Sequence, residues 1–260
     1  MGAGGAEQLP AALLPLVHAP ADSALFLDFD GTLSAIVREP LAARPLPGVP
    51  ELLTNLSRRL ALVAVISGRA ENFLAQVLDH PRGVELYGLY GLELVVAERG
   101  DGDDWSAVIT RVAAAAQAGA PAGVFVEPKV LTLTLHWRNA PEGEPWVRAF
   151  AAEQTDLVVI GARSSLELRP PIDVDKGTVI RTRLSRLTRP PRAVAVFGDD
   201  VGDLPAFAAA AALAAEGVKV ARVAAVDEET PPEVASQADV VVEGAAGAVA
   251  LLQALAQTLS

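Results

Sequence analysis

The stretch Leu25-Phe26-Leu27-Asp28-Phe29-Asp30-Gly31-Thr32-Leu33 decides how this chain is read. Leu25 to Leu27 form a short apolar run of the kind that makes a buried strand. Gly31 breaks that strand and Thr32 opens a turn. Asp28 and Asp30 therefore stand where a buried strand meets a loop. Two carboxylates one residue apart in such a place are unfavourable unless a cation or a shared proton relieves their repulsion. The pair points to chemistry rather than scaffolding: a nucleophile, an acid–base partner and a metal.

On the C-terminal side of this stretch, apolar runs alternate with helical ones. Pro50 to Leu60 reads as helix, Leu60 to Arg69 (LALVAVISGR) as strand, Ala70 to Leu78 as helix and Val84 to Gly91 (VELYGLYG) as strand. The pattern resumes with a helix from Lys176 to Leu187, the strand run AVAVFGDD (193–200), and a helix from Leu204 to Ala215. The runs VKVARV (218–223) and ADVVVEG (238–244) and a terminal helix from Ala245 to Leu259 complete it. Continuous apolar strands separated by helices predict a parallel sheet covered on both faces, an α/β fold.

The middle of the chain has a different period. In LTLTLHWRN (131–139), Thr132, Thr134, His136 and Arg138 alternate with Leu131, Leu133, Leu135 and Trp137. In SSLELRP (164–170), Ser165, Glu167 and Arg169 alternate with Leu166 and Leu168, and Glu127 and Lys129 are likewise two apart. With helices at about 105–118 and 144–155, this predicts a half-buried sheet with helices on its apolar face and a polar face turned outward. We read 92–171 as a module inserted into a parallel-sheet core made of 1–91 and 172–260.

The 260 residues are 51% hydrophobic, enough for a sizeable core. With 21 Lys and Arg against 32 Asp and Glu, the formal charge is -11. That balance argues against nucleic acid or an anionic membrane as partner, and any phosphate site needs local cations. No cysteine is present, which excludes disulfides and thiolate metal sites. The opening MGAGGAEQLPAALLPLVHAPA lacks a positive n-region and reads as a frayed lead-in. Its AALLPLV is too short and proline-broken to span a membrane. The default expectation is a soluble cytoplasmic protein.

Four clusters fall just past strand ends, where open parallel sheets place their ligands: Asp28 and Asp30; Ser67, Gly68 and Arg69; Lys176 in DVDKG; and Asp199, Asp200 and Asp203 in GDDVGD. Asp28 suits a nucleophile that forms an aspartyl phosphate. Asp30 suits a general acid for the leaving alkoxide and then a base for water. Ser67 and the amides near Gly68 suit phosphate oxygens, and Lys176 supplies positive charge. The carboxylates of Asp28, Asp30, Asp199, Asp200 and Asp203 offer hard oxygens to Mg²⁺, with the choice between Asp200 and Asp203 open. Taken singly, SGR, DKG or GDDVGD is an ordinary loop or cap. In this order, each at a strand end, they describe one phosphate-and-metal site.

DFDGTL, ISGR, DKG and GDDVGD resemble, in order, the four motifs of haloacid dehalogenase superfamily phosphatases. The resemblance implies a Rossmann-like core, Mg²⁺ and an aspartyl-phosphate intermediate. YGLYGLE, VEPKVLTLTLHWR and LELRPP resemble the cap signatures of trehalose-6-phosphate phosphatases, over about 25–207. That family hydrolyses trehalose 6-phosphate, and its cap strands hold the sugar. By position this implies Glu93, Glu127, Lys129, Arg138 and Glu167, joined on the polar strand face by His136, with Gly68, Arg69 and Tyr90 also at the substrate. It also implies a functional link to a trehalose-phosphate synthase. Two positions depart from the family: Tyr90 stands where many members have His, and Leu204 follows Asp203 where many have Glu. Other functions compatible with the residues are a phosphatase for sucrose phosphate or a glycosyl phosphoglycerate, a phosphomutase, and a non-catalytic sugar-phosphate sensor.

Overall fold

A computed structural model of the chain describes residues 9–37, 39–162, 164–228 and 230–259. In chain order the strands are β1 (Ser23–Leu27), β2 (Leu62–Ile66), β3 (Glu85–Tyr87), β4 (Phe125–Pro128), β5 (Leu133–His136), β6 (Val158–Ala162), β7 (Ser165–Arg169), β8 (Ala193–Gly198), β9 (Lys219–Val226) and β10 (Val240–Glu243). The α-helices are α1 (Leu14–His18), α2 (Val49–Ser57), α3 (Glu71–Val77), α4 (Leu92–Arg99), α5 (Gly102–Gly119), α6 (Glu144–Ala152), α7 (Lys176–Ser185), α8 (Leu204–Ala215), α9 (Pro232–Ser236) and α10 (Gly244–Thr258).

The chain divides into two compact units, one of residues up to Gly91 together with Asp175 onward, the other Leu92–Val174. The second junction falls after Val174 rather than Pro171. Arg169 donates through Nη2 to the carbonyls of Ile172 (3.0 Å) and Val174 (3.1 Å), which ties those residues to β7.

In the first unit six strands form a sheet in the order β10-β9-β8-β1-β2-β3, all paired in parallel. Alternate side chains of one strand go to opposite faces. Leu25, Leu27, Val63 and Val65 join one buried cluster with α2 and α10, while Ala24, Phe26, Ala64 and Ile66 join another with α7 and α8. Both faces being covered, the strands read as unbroken apolar runs.

Three sequence expectations change here. Residues 11–22 are not a frayed lead-in: they form 3₁₀ and α turns, because Leu13 and Leu16 are fully buried against the first cluster; residues 1–8 of that reading lie outside the described residues. The strand expected over 84–91 stops at Tyr87, and a 3₁₀ turn at Leu89–Gly91 leads into α4, which the sequence reading missed. The turn holds Leu89 (φ 49°) and Tyr90 (φ 58°) in the left-handed region.

The second unit has one antiparallel sheet in the order β4-β5-β7-β6. Leu133, Leu135, Leu166 and Leu168 bury one face in a cluster with Ile109, Val112 and Val147 of α5 and α6. The opposite face is polar but not an open solvated surface: Glu127, Thr132, Thr134 and Ser165 are buried.

Candidate active site

The site of the first unit grows from the carboxyl end of β1. The Asp28 amide donates to the Phe197 carbonyl (3.0 Å), extending the β1–β8 ladder one residue, so the Asp28 backbone is as fixed as the strand. The chain then turns back at Gly31, whose amide donates to the Ser34 carbonyl (2.7 Å). Gly31 has φ +77°, and a Cβ there would lie 2.0 Å from Asp199 Oδ2. The Asp199 carboxylate thus occupies the space a side chain at position 31 would need. Gly31→Ala, both strained and clashing, is expected to lower stability by about 1 kcal/mol or more and to displace Asp199. Thermal melts check it; an Ala variant with unchanged melting temperature would contradict this geometry.

Lys176 opens α7, whose N-cap Asp175 accepts the Thr178 amide (2.6 Å). From there the buried Lys176 ammonium donates to Asp28 and to Asp203 Oδ1 (2.6 Å). Asp203 comes into range because residues Val201–Asp203 form a 3₁₀ turn after β8. Its Oδ2 accepts the amides of Asp199 (2.9 Å) and Asp200 (3.2 Å). One oxygen each of Asp28, Asp199 and Asp203 lies within 4.8 Å of the others, and all three residues are buried.

Three buried carboxylates against one ammonium leave negative charge uncompensated. Burial is the main force pushing Asp28 up to about 7; Lys176 opposes it and Asp203 adds to it. Asp199 is pushed up to about 10, by burial first and then by Asp28 and Asp203. Burial pulls the Lys176 ammonium down, but Asp203 and Asp28 outweigh it and hold the proton well above the ordinary lysine range. A hard divalent cation fits this set, since it replaces the missing positive charge with oxygen ligands already gathered. Asp28, Asp199 and Asp203 would hold it. Because the cation competes with protons on Asp28 and Asp199, the rise in melting temperature on adding Mg²⁺ is expected to be larger at pH 8 than at pH 6. Melts in Mg²⁺ and in EDTA at both values check it; an increment that shrinks as pH rises would contradict it.

Two of the carboxylates expected at the metal stand outside this cluster of side-chain oxygens. Asp200 is exposed and forms a reciprocal capping pair with Asp203, so its side chain is spent on the turn. The Asp30 carboxylate is held by Arg69, whose Nε and Nη2 donate to its two oxygens at 2.7 and 2.8 Å. Arg69, expected at the substrate, is engaged with Asp30 and stacks over Phe73 (5.2 Å). Ser67 is buried and its Oγ accepts the Arg69 amide (3.1 Å).

Tyr90 belongs to the first unit. Its amide donates to the Ser67 carbonyl and the Leu89 amide to the Arg69 carbonyl, at 2.8 and 2.9 Å, which is what pins the left-handed turn. The Tyr90 ring lies over Gly68, where a Cβ would meet its Cζ and Oη at 2.6 Å, and its centroid is 5.8 Å from Lys176 Nζ. Gly68 is therefore a clearance position for Tyr90.

In the second unit, cross-strand pairing places Glu127, Thr134 and Glu167 in one row. His136 Nε2 is 2.9 Å from Glu127 Oε2, and Lys129 Nζ is 3.8 Å from Glu167 Oε1. Two of the expected sugar contacts do not join this face. Glu93 is on helix α4 rather than a strand, and Arg138 lies exposed in a turn past the end of β5, closed by the Ala140 amide to the Trp137 carbonyl (3.0 Å). Thr134, at the middle of the row, was not singled out, because only the pairing of three strands reveals its place.

This parallel-sheet fold is that of the haloacid dehalogenase-like hydrolases. A hydrolase of that kind from Bacteroides thetaiotaomicron superposes with a TM-score of 0.57 over 89% of this chain and 98% of its own, at 16% identity. The C-terminal domain of the Candida albicans trehalose-6-phosphate phosphatase does so with a TM-score of 0.71 over 96% and 99%, at 20% identity. The sequence model of the trehalose-phosphatase family matches residues 26–241, and the chain belongs to that family. The trehalose-phosphate phosphatase of Mycobacterium avium is 36% identical over 211 residues, 76% of this chain and 54% of that protein. The chain thus spans about half the length of the curated relatives it matches. No helix among the described residues is long and apolar enough to cross a membrane.

Proposed function

We propose that the protein is a phosphoric monoester hydrolase that converts trehalose 6-phosphate to trehalose and phosphate, in the cytoplasm and downstream of a trehalose-phosphate synthase. The observation that carries the chemistry is the buried Asp28 at the β1 end, bonded to Lys176, with Asp30 two residues on and held by Arg69. Family membership and the mycobacterial relatives support the substrate.

The chain's own groups divide the work. An Asp28 oxygen attacks phosphorus and the P–O bond to the sugar breaks, leaving an acyl phosphate on Asp28. Asp30 gives its proton to the departing sugar oxygen. It then takes a proton from water as that water attacks phosphorus, which frees phosphate and restores the Asp28 carboxylate. Arg69 holds the Asp30 carboxylate at rest, and Asp30 leaves that pair to carry the proton. Lys176 holds Asp28 in place, while Ser67 and the amides after it bond phosphate oxygens. Asp28, Asp199 and Asp203 would hold a Mg²⁺ ion, which would supply positive charge to offset that of the nucleophile and the phosphate. In the second unit, acting as a cap, Glu127, Lys129, His136 and Glu167 recognise sugar hydroxyls through charge-assisted hydrogen bonds.

Phosphate release from trehalose 6-phosphate, sucrose 6-phosphate, a glycosyl phosphoglycerate and glucose 6-phosphate, each in Mg²⁺ and in EDTA, tests the reading. Trehalose 6-phosphate is expected to have the highest kcat/KM, abolished by EDTA. A higher value for another sugar phosphate reassigns the substrate. Isomerised sugar phosphate without free phosphate would mark a mutase instead.

A further inference from the structure

The polar face of the second sheet has an order that the strand register makes explicit. Glu127 of β4 pairs with Thr134 of β5, Thr134 with Glu167 of β7, and Glu167 with Ile160 of β6. Directly opposed residues of antiparallel strands share a face, so these four form one row. The adjoining row begins with Phe125 of β4 opposite His136. Phe125 and Ile160 thus stand on the same face as the acids, on the two outermost strands, and are 45% and 38% exposed.

Single exposed apolar side chains are ordinary; these two are distinguished by what they flank. The Phe125 ring stacks on His136, with centroids 5.6 Å apart and planes 30° from parallel, and His136 in turn is bonded to Glu127. Ile160 adjoins Glu167, the acid that faces Lys129. Between the two acids Thr134 Oγ1 is buried without a hydrogen-bond partner among the described residues. Such a deficit is unfavourable unless a ligand or water fills it. A pyranose ring has the matching anatomy: hydroxyls at its rim for carboxylates and ammonium, and C–H faces for apolar or aromatic surface. The outer strands are three strand spacings apart, about 14 Å. One pyranose ring does not reach across that width, whereas two linked rings do.

We propose that Phe125 and Ile160 are the two apolar walls of a two-ring sugar seat, and that they set a preference for disaccharide phosphates over monosaccharide phosphates. The inference rests on the reading of the protein as a sugar-phosphate phosphatase and adds the residues that measure sugar length. Both residues belong to the second unit, and the phosphoryl chemistry is assigned to groups of the first, so their loss is expected to spare it.

The test is steady-state kinetics of the wild-type protein, Phe125→Ala and Ile160→Ser with trehalose 6-phosphate, glucose 6-phosphate and glycerol 3-phosphate, with melting temperatures alongside. In each variant the KM for trehalose 6-phosphate is expected to rise about tenfold, with kcat nearly unchanged. The ratio of kcat/KM for trehalose 6-phosphate over glucose 6-phosphate should fall accordingly, and glycerol 3-phosphate should be unaffected. Phe125→Tyr should retain most of the preference, since it keeps the ring. An unchanged ratio in both variants overturns the proposal, as does a parallel fall on all three substrates with a lowered melting temperature. If the wild-type protein rejects trehalose 6-phosphate but hydrolyses another disaccharide phosphate, the substrate reading fails. The walls then stand or fall by the same ratio measured with that substrate. If it hydrolyses no disaccharide phosphate, the proposal fails too.

Discussion

Asp28→Asn is expected to lower phosphate release from trehalose 6-phosphate by about 10⁴-fold or more, the scale on which loss of a nucleophile acts, while raising the melting temperature of the metal-free protein. The first effect follows because a neutral amide cannot form an acyl phosphate. The second follows from the crowding of acids: Asp28, Asp199 and Asp203 are buried around one ammonium, and Asn removes the buried charge of Asp28. The sign can be worked from Asp28 itself. Its folded value, about 7, lies above its ordinary value of 3.8. Between those values the folded state binds the proton that the unfolded state has lost, so stability falls as pH rises through that window. At pH 8 the whole penalty is present, and Asn relieves it. Activity within tenfold of wild type, or a lowered melting temperature in EDTA at pH 8, would contradict the placement of Asp28.

The opposite charge change has the opposite effect. Lys176→Met leaves Asp28 and Asp203 buried without their shared ammonium. Removing one partner from a buried ion pair costs about 3–5 kcal/mol, which in a chain of this size is about 10 °C in melting temperature. The cost is expected to be largest at pH 8 and smaller at pH 5. Without the ammonium that opposes its rise, Asp28 takes up a proton in the folded state at a value higher still than in the wild-type protein, so the penalty grows as pH rises through that raised range. Activity is expected to fall at every pH, because Asp28 loses the group that holds it. Melting curves at several pH values in EDTA check this; a decrement that does not depend on pH would mean that Lys176 acts by packing alone.

How much of this was legible in the sequence depended on the distance over which each feature is decided. The Asp28, Ser67 and Asp199 positions could be read because each ends an apolar run and meets a turn signal within a few residues, and Lys176 because an Asp cap opens a helix at it. The alternation in 131–138 and 164–170 likewise exposed a sheet with unlike faces. The sharing of roles within GDDVGD was hidden, because it depends on a single 3₁₀ turn that brings Asp203 back beneath the amides of Asp199 and Asp200. Arg69 and Asp30 are 39 residues apart, and no local pattern announces that the one holds the other. Tyr90 was misplaced because VELYGLYG reads as a strand, whereas the left-handed pair Leu89 and Tyr90 folds the ring back over Gly68. Helix α4 was missed beside it, and with it the helical setting of Glu93. The row from Glu127 to Ile160 needed the register of four strands, which is a long-range property.

The most direct test of the central claim, that Asp28 takes the phosphoryl group, is to trap it. The protein is mixed with trehalose 6-phosphate and Mg²⁺, quenched during turnover and treated with borohydride, which reduces an acyl phosphate to an alcohol. Peptide mass spectrometry is expected to find homoserine at position 28 in the wild-type protein and none when substrate is omitted. Homoserine at another aspartate, or none at any position while phosphate is still being released, would contradict the account.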